Sequence, residues 1–207
     1  SSYISSTKNK FVSMFLDIKT KKKEIKNIIN IYKPHFIICP KNFLNNIKVK
    51  IIEKSKYSNY CLFKTNFKNK VNFNKNLCLL LPTSGSLGSP KFVRLSYKNL
   101  EINSKDIVKY LNISSNDRSI TNMTMTYSYM ISIINTHISS GGSIFVTNES
   151  IMQKKFWKFY KEGKITCFNG VPYMYQILIK YGLNNINTKY LKYLTQAGGK
   201  LDEKYIK

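Results

Sequence analysis

"LLLPTSGSLGSPKFVRLSYKNL", residues 79–100, joins an apolar run to a loop of hydroxyl-bearing residues, glycines and a proline, followed by a second apolar stretch. The run starts at Leu77 as LCLLL, the pattern of a strand buried on both faces. Phe92 to Ser96 alternates and reads as another strand. Ser96 is placed to cap the next helix, expected from Tyr97 to Leu111 with Leu100, Ile107, Val108 and Leu111 inward. Between the strands stand Thr83, Ser84, Gly85, Ser86, Gly88, Pro90 and Lys91. The two glycines let backbone N–H groups approach an anion closely, the hydroxyls add donors, and Lys91 adds a positive charge. A Walker loop is excluded, because its lysine follows a glycine and precedes a hydroxyl, whereas Lys91 lies between Pro90 and Phe92. On the residues alone, two readings stand: a phosphate-binding loop, or a Ser/Gly surface turn without a ligand.

Outward from this loop, helix and strand patterns alternate. Lys21 to Tyr32 places Ile25, Ile28, Ile29 and Tyr32 on one helical face, and Pro34 stops it. HFIIC reads as a short buried strand closed by Pro40; VKIIE and YCLFK are strand candidates, and KNKVNFNKN reads as exposed loop. Downstream, TYSYMISIINTHI reads as a turn into an apolar helix ended by Gly141 and Gly142. SIFVT, ITCFN and LKYLTQ follow as strands. Between them lie helices in IMQKKFWKFYKEGK, with Ile151, Met152, Phe156, Phe159 and Tyr160 inward, and in YMYQILIKY. This alternation predicts an α/β fold with a mostly parallel sheet flanked by helices. Ligands in such sheets collect beyond the carboxyl ends of strands, where the loop sits.

Composition narrows the classes. Hydrophobic residues make up 43% of the 207 and aromatics 14%, which excludes a disordered chain. The net charge of +24 suggests a polyanion partner. The lysines are scattered, however, with Lys21-Lys22-Lys23 the one run of three, and Lys, Asn, Ile, Tyr and Phe are inflated together as AT-rich codons would produce. A specific nucleic-acid partner is not expected, for no motif interleaves aromatics with basic residues. The four cysteines form no CxxC pair and read as reduced thiols of a cytoplasmic protein; no metal site is expected from them or from His35 and His137. No apolar run is long enough to span a membrane.

The loop also resembles the phosphate-binding signature of the adenylate-forming (AMP-binding) superfamily, which includes acyl-CoA synthetases, luciferases and peptide-synthetase adenylation domains. That signature runs [ST]-[SG]-G-[ST]-T-G-x-P-K-G, and Thr83, Ser84, Gly85, Ser86, Gly88, Pro90 and Lys91 match it. Leu87 stands where Thr is usual and Phe92 where Gly is usual. Further blocks resemble the family in order: LSYKNL, YSYMISIINTHISSGGSIFVTN, FNGVPYMYQIL and LTQAGGKL, with IYKPHFIICP upstream. The wording is nearest to AMP-ligases of surface-polysaccharide gene clusters.

The resemblance implies a function. Such enzymes join a carboxylic acid to ATP, with Mg2+, giving an acyl-adenylate that coenzyme A or a carrier thiol then accepts. Thr83, Ser84, Gly85, Ser86, Gly88 and Lys91 would hold the phosphates, Gly198 and Gly199 would lie beside the nucleotide, and Tyr127 would border the acid. The family's Mg-binding Glu, ribose-binding Asp and C-terminal Lys would all follow Lys207. Residues 1–207 are therefore expected to be part of the large N-terminal domain, without the C-terminal domain and inactive alone. The alternatives are a non-catalytic nucleotide-binding remnant and a basic nucleic-acid-binding domain.

Overall fold

In the computed structural model, which describes residues 2–44, 49–54, 58–68, 71–83, 91–181 and 188–205, helices and strands alternate along the chain. The order is α1 (Ser2–Lys8), β1 (Ser13–Met14), α2 (Lys22–Tyr32), β2 (Phe36–Pro40), β3 (Val49–Lys54), β4 (Tyr60–Thr65), β5 (Leu77–Pro82) and β6 (Phe92–Ser96). Then come α3 (Tyr97–Leu111), β7 (Arg118–Ile120), α4 (Ser128–Ser139), β8 (Ser143–Phe145), α5 (Lys154–Glu162), β9 (Cys167–Gly170), α6 (Pro172–Tyr181) and β10 (Tyr193–Gln196). The chain forms two compact units, one centred on Ile18–Lys75 and the other built from Ser1–Asp17, Asn76–Ser84 and Lys91–Lys207.

The smaller unit packs α2 on the antiparallel sheet β2-β4-β3. Ile25 and Ile29 of the helix meet Cys39, Cys61 and Phe63 of the sheet. The helix ends where Lys33 turns left-handed, at φ 43°, and returns its N–H to the Ile29 carbonyl, because Pro34 disfavours helical geometry in the residue before it. HFIIC proves a one-sided strand: Cys39 is buried, while Phe36 and Ile38 are nearly half exposed on the far face.

In the larger unit, β5 lies between β1, to which it is parallel, and β6, which folds back antiparallel in register from Pro82–Phe92 to Leu77–Ser96. All five residues of LCLLL are buried, and Cys78, Leu79 and Leu81 share a core cluster with Met130, Ile131, Ile133 and Ile134 of α4. The start of α3 is set locally. Ser96 accepts from the Asn99 N–H, and the Asn99 side chain accepts from the Ser96 N–H, so two orphan backbone donors are satisfied at once.

The second layer is a parallel row. β7 pairs with β8 and β9 with β10, and the Thr166 N–H donates to the Arg118 carbonyl (2.9 Å), setting β9 beside β7. The spatial order is β8, β7, β9, β10. Gly142 starts β8 at a place where a Cβ would come within 2.8 Å of the Asp117 carbonyl oxygen. On one side, Phe156 and Tyr160 of α5 and Tyr175 and Leu178 of α6 enclose Phe168 of β9. Trp157 stacks on Phe168 at 6.0 Å, and its ring N–H donates to the Ile151 carbonyl. Helix α5 is shorter than its apolar pattern suggests: it starts at Lys154, and Met152, expected inward, is half exposed before it.

At the amino ends of these strands Asp117 is almost wholly buried. Its carboxylate accepts from the Ser114 N–H and hydroxyl, the Thr166 hydroxyl and the Lys192 ammonium. Burial by itself would raise its pKa; the hydrogen bonds from Lys192, Ser114 and Thr166 outweigh that and hold it down at about 2. This end of the row is a structural anchor.

Candidate functional site

The opposite, carboxyl end of the parallel row is where the chain places its turns. β10 extends one step past Gln196, the Ala197 N–H donating to the Gly170 carbonyl (3.3 Å). That pairing brings two sequence blocks together: Val171-Pro172 after β9 and Gly198-Gly199 after β10. Gly198 has φ +85°, a left-handed conformation that L side chains rarely adopt, and Val171 and Pro172 lie 3.4 Å from where Cβ atoms on Gly198 and Gly199 would stand. The Gln196 amide closes the turn by donating to the Gly199 carbonyl (2.7 Å). The glycine pair thus presents backbone, rather than side chains, at a strand end where ligands collect.

Tyr127 precedes α4, its N–H donating to the Thr124 carbonyl and its carbonyl accepting from Ile131. The residue is 57% exposed. Thr83 follows β5 and is tied to Lys91 across the loop: both its N–H (2.9 Å) and its hydroxyl (3.2 Å) donate to the Lys91 carbonyl. This clasp closes the neck of the loop and leaves Lys91 exposed. Ser84, Gly85, Ser86 and Gly88 lie outside the described residues. Among the described residues, Thr83 hydrogen-bonds to Lys91 and Gly199 to Gln196, with no hydrogen bond joining the two turns.

A cavity of about 390 Å³ opens between α3, α4 and the strands β9 and β10. Its walls include Leu111 of α3, Tyr129 and His137 of α4, Asn169 of β9, and Tyr193 and Thr195 of β10. Sequence reasoning missed these residues, for each belongs to a pattern that reads as ordinary core or strand. The signal that could have found them is the polar Asn169 within the apolar segment ITCFN.

A hydrogen-bond chain organises the cavity wall. The Tyr129 hydroxyl meets the Thr195 hydroxyl at 2.6 Å; Thr195 donates to the Asn169 side-chain carbonyl at 2.5 Å; the Asn169 amide donates to the Ser119 hydroxyl at 2.9 Å. Because Thr195 has given its proton to Asn169, Tyr129 is the donor in the first bond. Burial raises the Tyr129 pKa, although the bond with Thr195 lowers it, so the phenol keeps its proton at neutral pH.

At the inner end His137 is buried, with Nδ1 2.9 Å from the Ile133 carbonyl and Nε2 3.4 Å from the Cys167 sulfur. Nδ1 faces a carbonyl and so carries the ring proton. Burial pushes the imidazole pKa down and the Cys167 thiol pKa up, which leaves both neutral. Among the described residues no cluster of three His, Cys, Asp or Glu side chains could hold a metal ion. Mg2+ is therefore given no residue here. No helix among the described residues is long and apolar enough to cross a membrane.

Known proteins are similar to this chain. The family model described as "AMP-binding enzyme" matches residues 5–207. Acyl-CoA synthetase ALT10 of Alternaria alternata is 32% identical over 111 residues, covering 50% of this chain and 18% of that protein. The solved structure of o-succinylbenzoate coenzyme A synthetase (MenE) from Bacillus subtilis in complex with AMP superposes with a TM-score of 0.55 at 17% identity, over 62% of this chain and 26% of that one. The crystal structure of VinN gives 0.53 at 20% identity, over 67% and 34%. These two share the fold of the chain, which spans about a fifth of the curated relative and a quarter to a third of the solved ones.

Proposed function

This chain belongs to the AMP-binding enzyme family, and on that premise we propose that the full-length protein carrying it activates a carboxylic acid with ATP. One carboxylate oxygen attacks the α-phosphorus, the bond to the bridging oxygen breaks, and pyrophosphate leaves with that oxygen's electron pair, giving an acyl-adenylate. Charge shifts onto the departing phosphates, so what the protein must supply is alignment and positive charge there.

The observation that carries this reading is the conjunction of a turn of exposed backbone at Gly198-Gly199, just after β10, and a cavity that runs along β10 from Tyr193 to Gln196 beside Asn169 of β9. The backbone turn suits close approach of the nucleotide; the cavity suits the body of the acid. Tyr127, exposed ahead of α4, is assigned to the acid side. Thr83 holds the neck of the phosphate loop through its two bonds to the Lys91 carbonyl, which commits the Lys91 backbone and leaves its ammonium for the β- and γ-phosphates. Mg2+, when bound with ATP, would neutralise part of the phosphate charge; its ligands are assigned outside the described residues. Coenzyme A or a carrier thiol is the proposed final acceptor.

The test is Lys91→Ala in the full-length protein. Loss of one charge-assisted contact should lower carboxylate-dependent ATP–pyrophosphate exchange by about 1–3 kcal/mol. Exchange at the wild-type rate would remove Lys91 from the site. ATP binding without exchange for any acid would instead favour a non-catalytic nucleotide-binding protein.

A further inference from the structure

The turn after β10 is made of two exposed glycines, the residue type with the most backbone freedom. Left to itself, such a pair samples many geometries, and holding one of them for a ligand costs conformational entropy at each residue. The chain supplies the hold from the strand below. Thr195 is clamped on both faces: its hydroxyl lies between Tyr129 and Asn169, and its carbonyl accepts from the Tyr175 hydroxyl at 2.6 Å. Gln196 therefore starts from a fixed point, with its backbone opposite Gly170 in the parallel register. Its side chain then reaches forward over the turn, and Nε2 donates to the Gly199 carbonyl at 2.7 Å. Among the described residues this is the one hydrogen bond that either glycine makes. Gln196 also borders the cavity, so the side chain that closes the turn adjoins both candidate subsites.

We infer that Gln196 is a positioning residue for the nucleotide: its amide holds the Gly198-Gly199 turn in the geometry that presents backbone to the nucleoside monophosphate. The inference rests on the adenylation reading, which puts the nucleotide at that turn, and it adds the group that fixes the turn's shape. Gln196 acts before the ligand arrives. By removing alternative turn geometries, it lowers the ordering cost that the nucleotide would otherwise meet. The reach is specific to glutamine: asparagine is one methylene shorter, and methionine keeps the length without a donor. The effect is also local. The neck of the Thr83–Lys91 loop has its own clasp, the two Thr83 bonds to the Lys91 carbonyl, so pyrophosphate held there is indifferent to Gln196.

Gln196→Met and Gln196→Asn in the full-length protein test this, with AMP and inorganic pyrophosphate as probes and calorimetry as the readout. Both variants should bind AMP about three- to tenfold more weakly, the loss expected for one hydrogen bond, and pyrophosphate within about twofold of wild type. Thermal unfolding without ligand separates positioning from a general weakening of the fold. The midpoint should fall no further than in Ser96→Ala, which should bind AMP as the wild type does. An equal loss for AMP and pyrophosphate, or an AMP loss as large in S96A, overturns the positioning role. If the wild type binds AMP and both variants bind it equally well, the adenylation reading stands and the role of Gln196 falls. If the wild type binds neither AMP nor ATP, the adenylation reading falls and takes this role with it.

Discussion

The two faces of β9 are built from alternate residues of one short strand and behave as opposites. Phe168 points into a packed aromatic nest of Trp157, Tyr160 and Tyr175, with ring centroids 5.9–6.5 Å away. Cys167 and Asn169 point the other way, toward a cavity, where hydrogen bonds rather than ring contacts hold the wall in place. A period of two is enough to put stability on one side of a strand and ligand recognition on the other. The filled face is held by ring packing, while on the cavity face Tyr129, Thr195, Asn169 and Ser119 satisfy one another, so that removing one of them leaves a neighbour without its partner.

That contrast can be broken from the filled side first. Phe168→Ala removes a ring that is 2% exposed, and should cost about 3–5 kcal/mol in urea unfolding. It should leave acid affinity intact, since the lost ring faces away from the cavity. Next in size is Asp117→Asn, at the base of both faces, with an expected cost of about 1.5–3 kcal/mol at neutral pH. Its signature is pH dependence. The folded pKa of Asp117, about 2, lies below the usual value of about 3.9 in unfolded chains. The stability it contributes is therefore fully present above pH 4–5 and is lost as pH falls toward 2, a change of about 2 kcal/mol. In D117N that slope should flatten; an identical slope would mean the carboxylate is not held as described.

The cavity side gives smaller stability effects and larger binding effects. Thr195→Val strands the Tyr129 hydroxyl and the Asn169 carbonyl together. We expect a loss of about 1–2 kcal/mol, toward the low end for unpaired groups because the cavity admits water. Acid affinity should fall with it, whereas F168A should leave that affinity alone; if both variants changed affinity equally, the two faces would not be separate. Ser96→Ala serves as the remote control. It removes the capping box of α3, should cost about 1 kcal/mol by thermal unfolding, and should leave acid affinity unchanged.

Much of the framework is legible in the residues alone. The LCLLL strand, the FVRLS strand, the Ser96 cap and the Tyr97–Leu111 helix all stand where their patterns place them. The Pro34 stop is equally local. Less visible is β1, two residues whose only marker is a pairing with Leu79 and Leu80. The backfolding of β6 on β5 has no sequence signal either, because a nine-residue loop between two strands permits a hairpin as well as a crossover. The one-sided exposure of Phe36 and Ile38 depends on which face of β2 meets α2.

What the sequence by itself determined are features whose partners lie within a few residues: caps, helix faces, the Pro34 stop, and the Thr/Ser/Gly/Lys string of the loop. These depend on dihedral preferences and i to i+3 or i+4 spacing, which the chain carries wherever it folds. Only the tertiary structure decided which strands pair, that Thr195 reaches Asn169 and Tyr129, and that a cavity opens between α3, α4 and the sheet. Tyr129 and Thr195 are 66 residues apart, and no periodicity links them. Their meeting follows from the parallel register of β9 and β10 and the packing of α4 above it, and so from long-range burial and hydrogen bonding that no local pattern encodes.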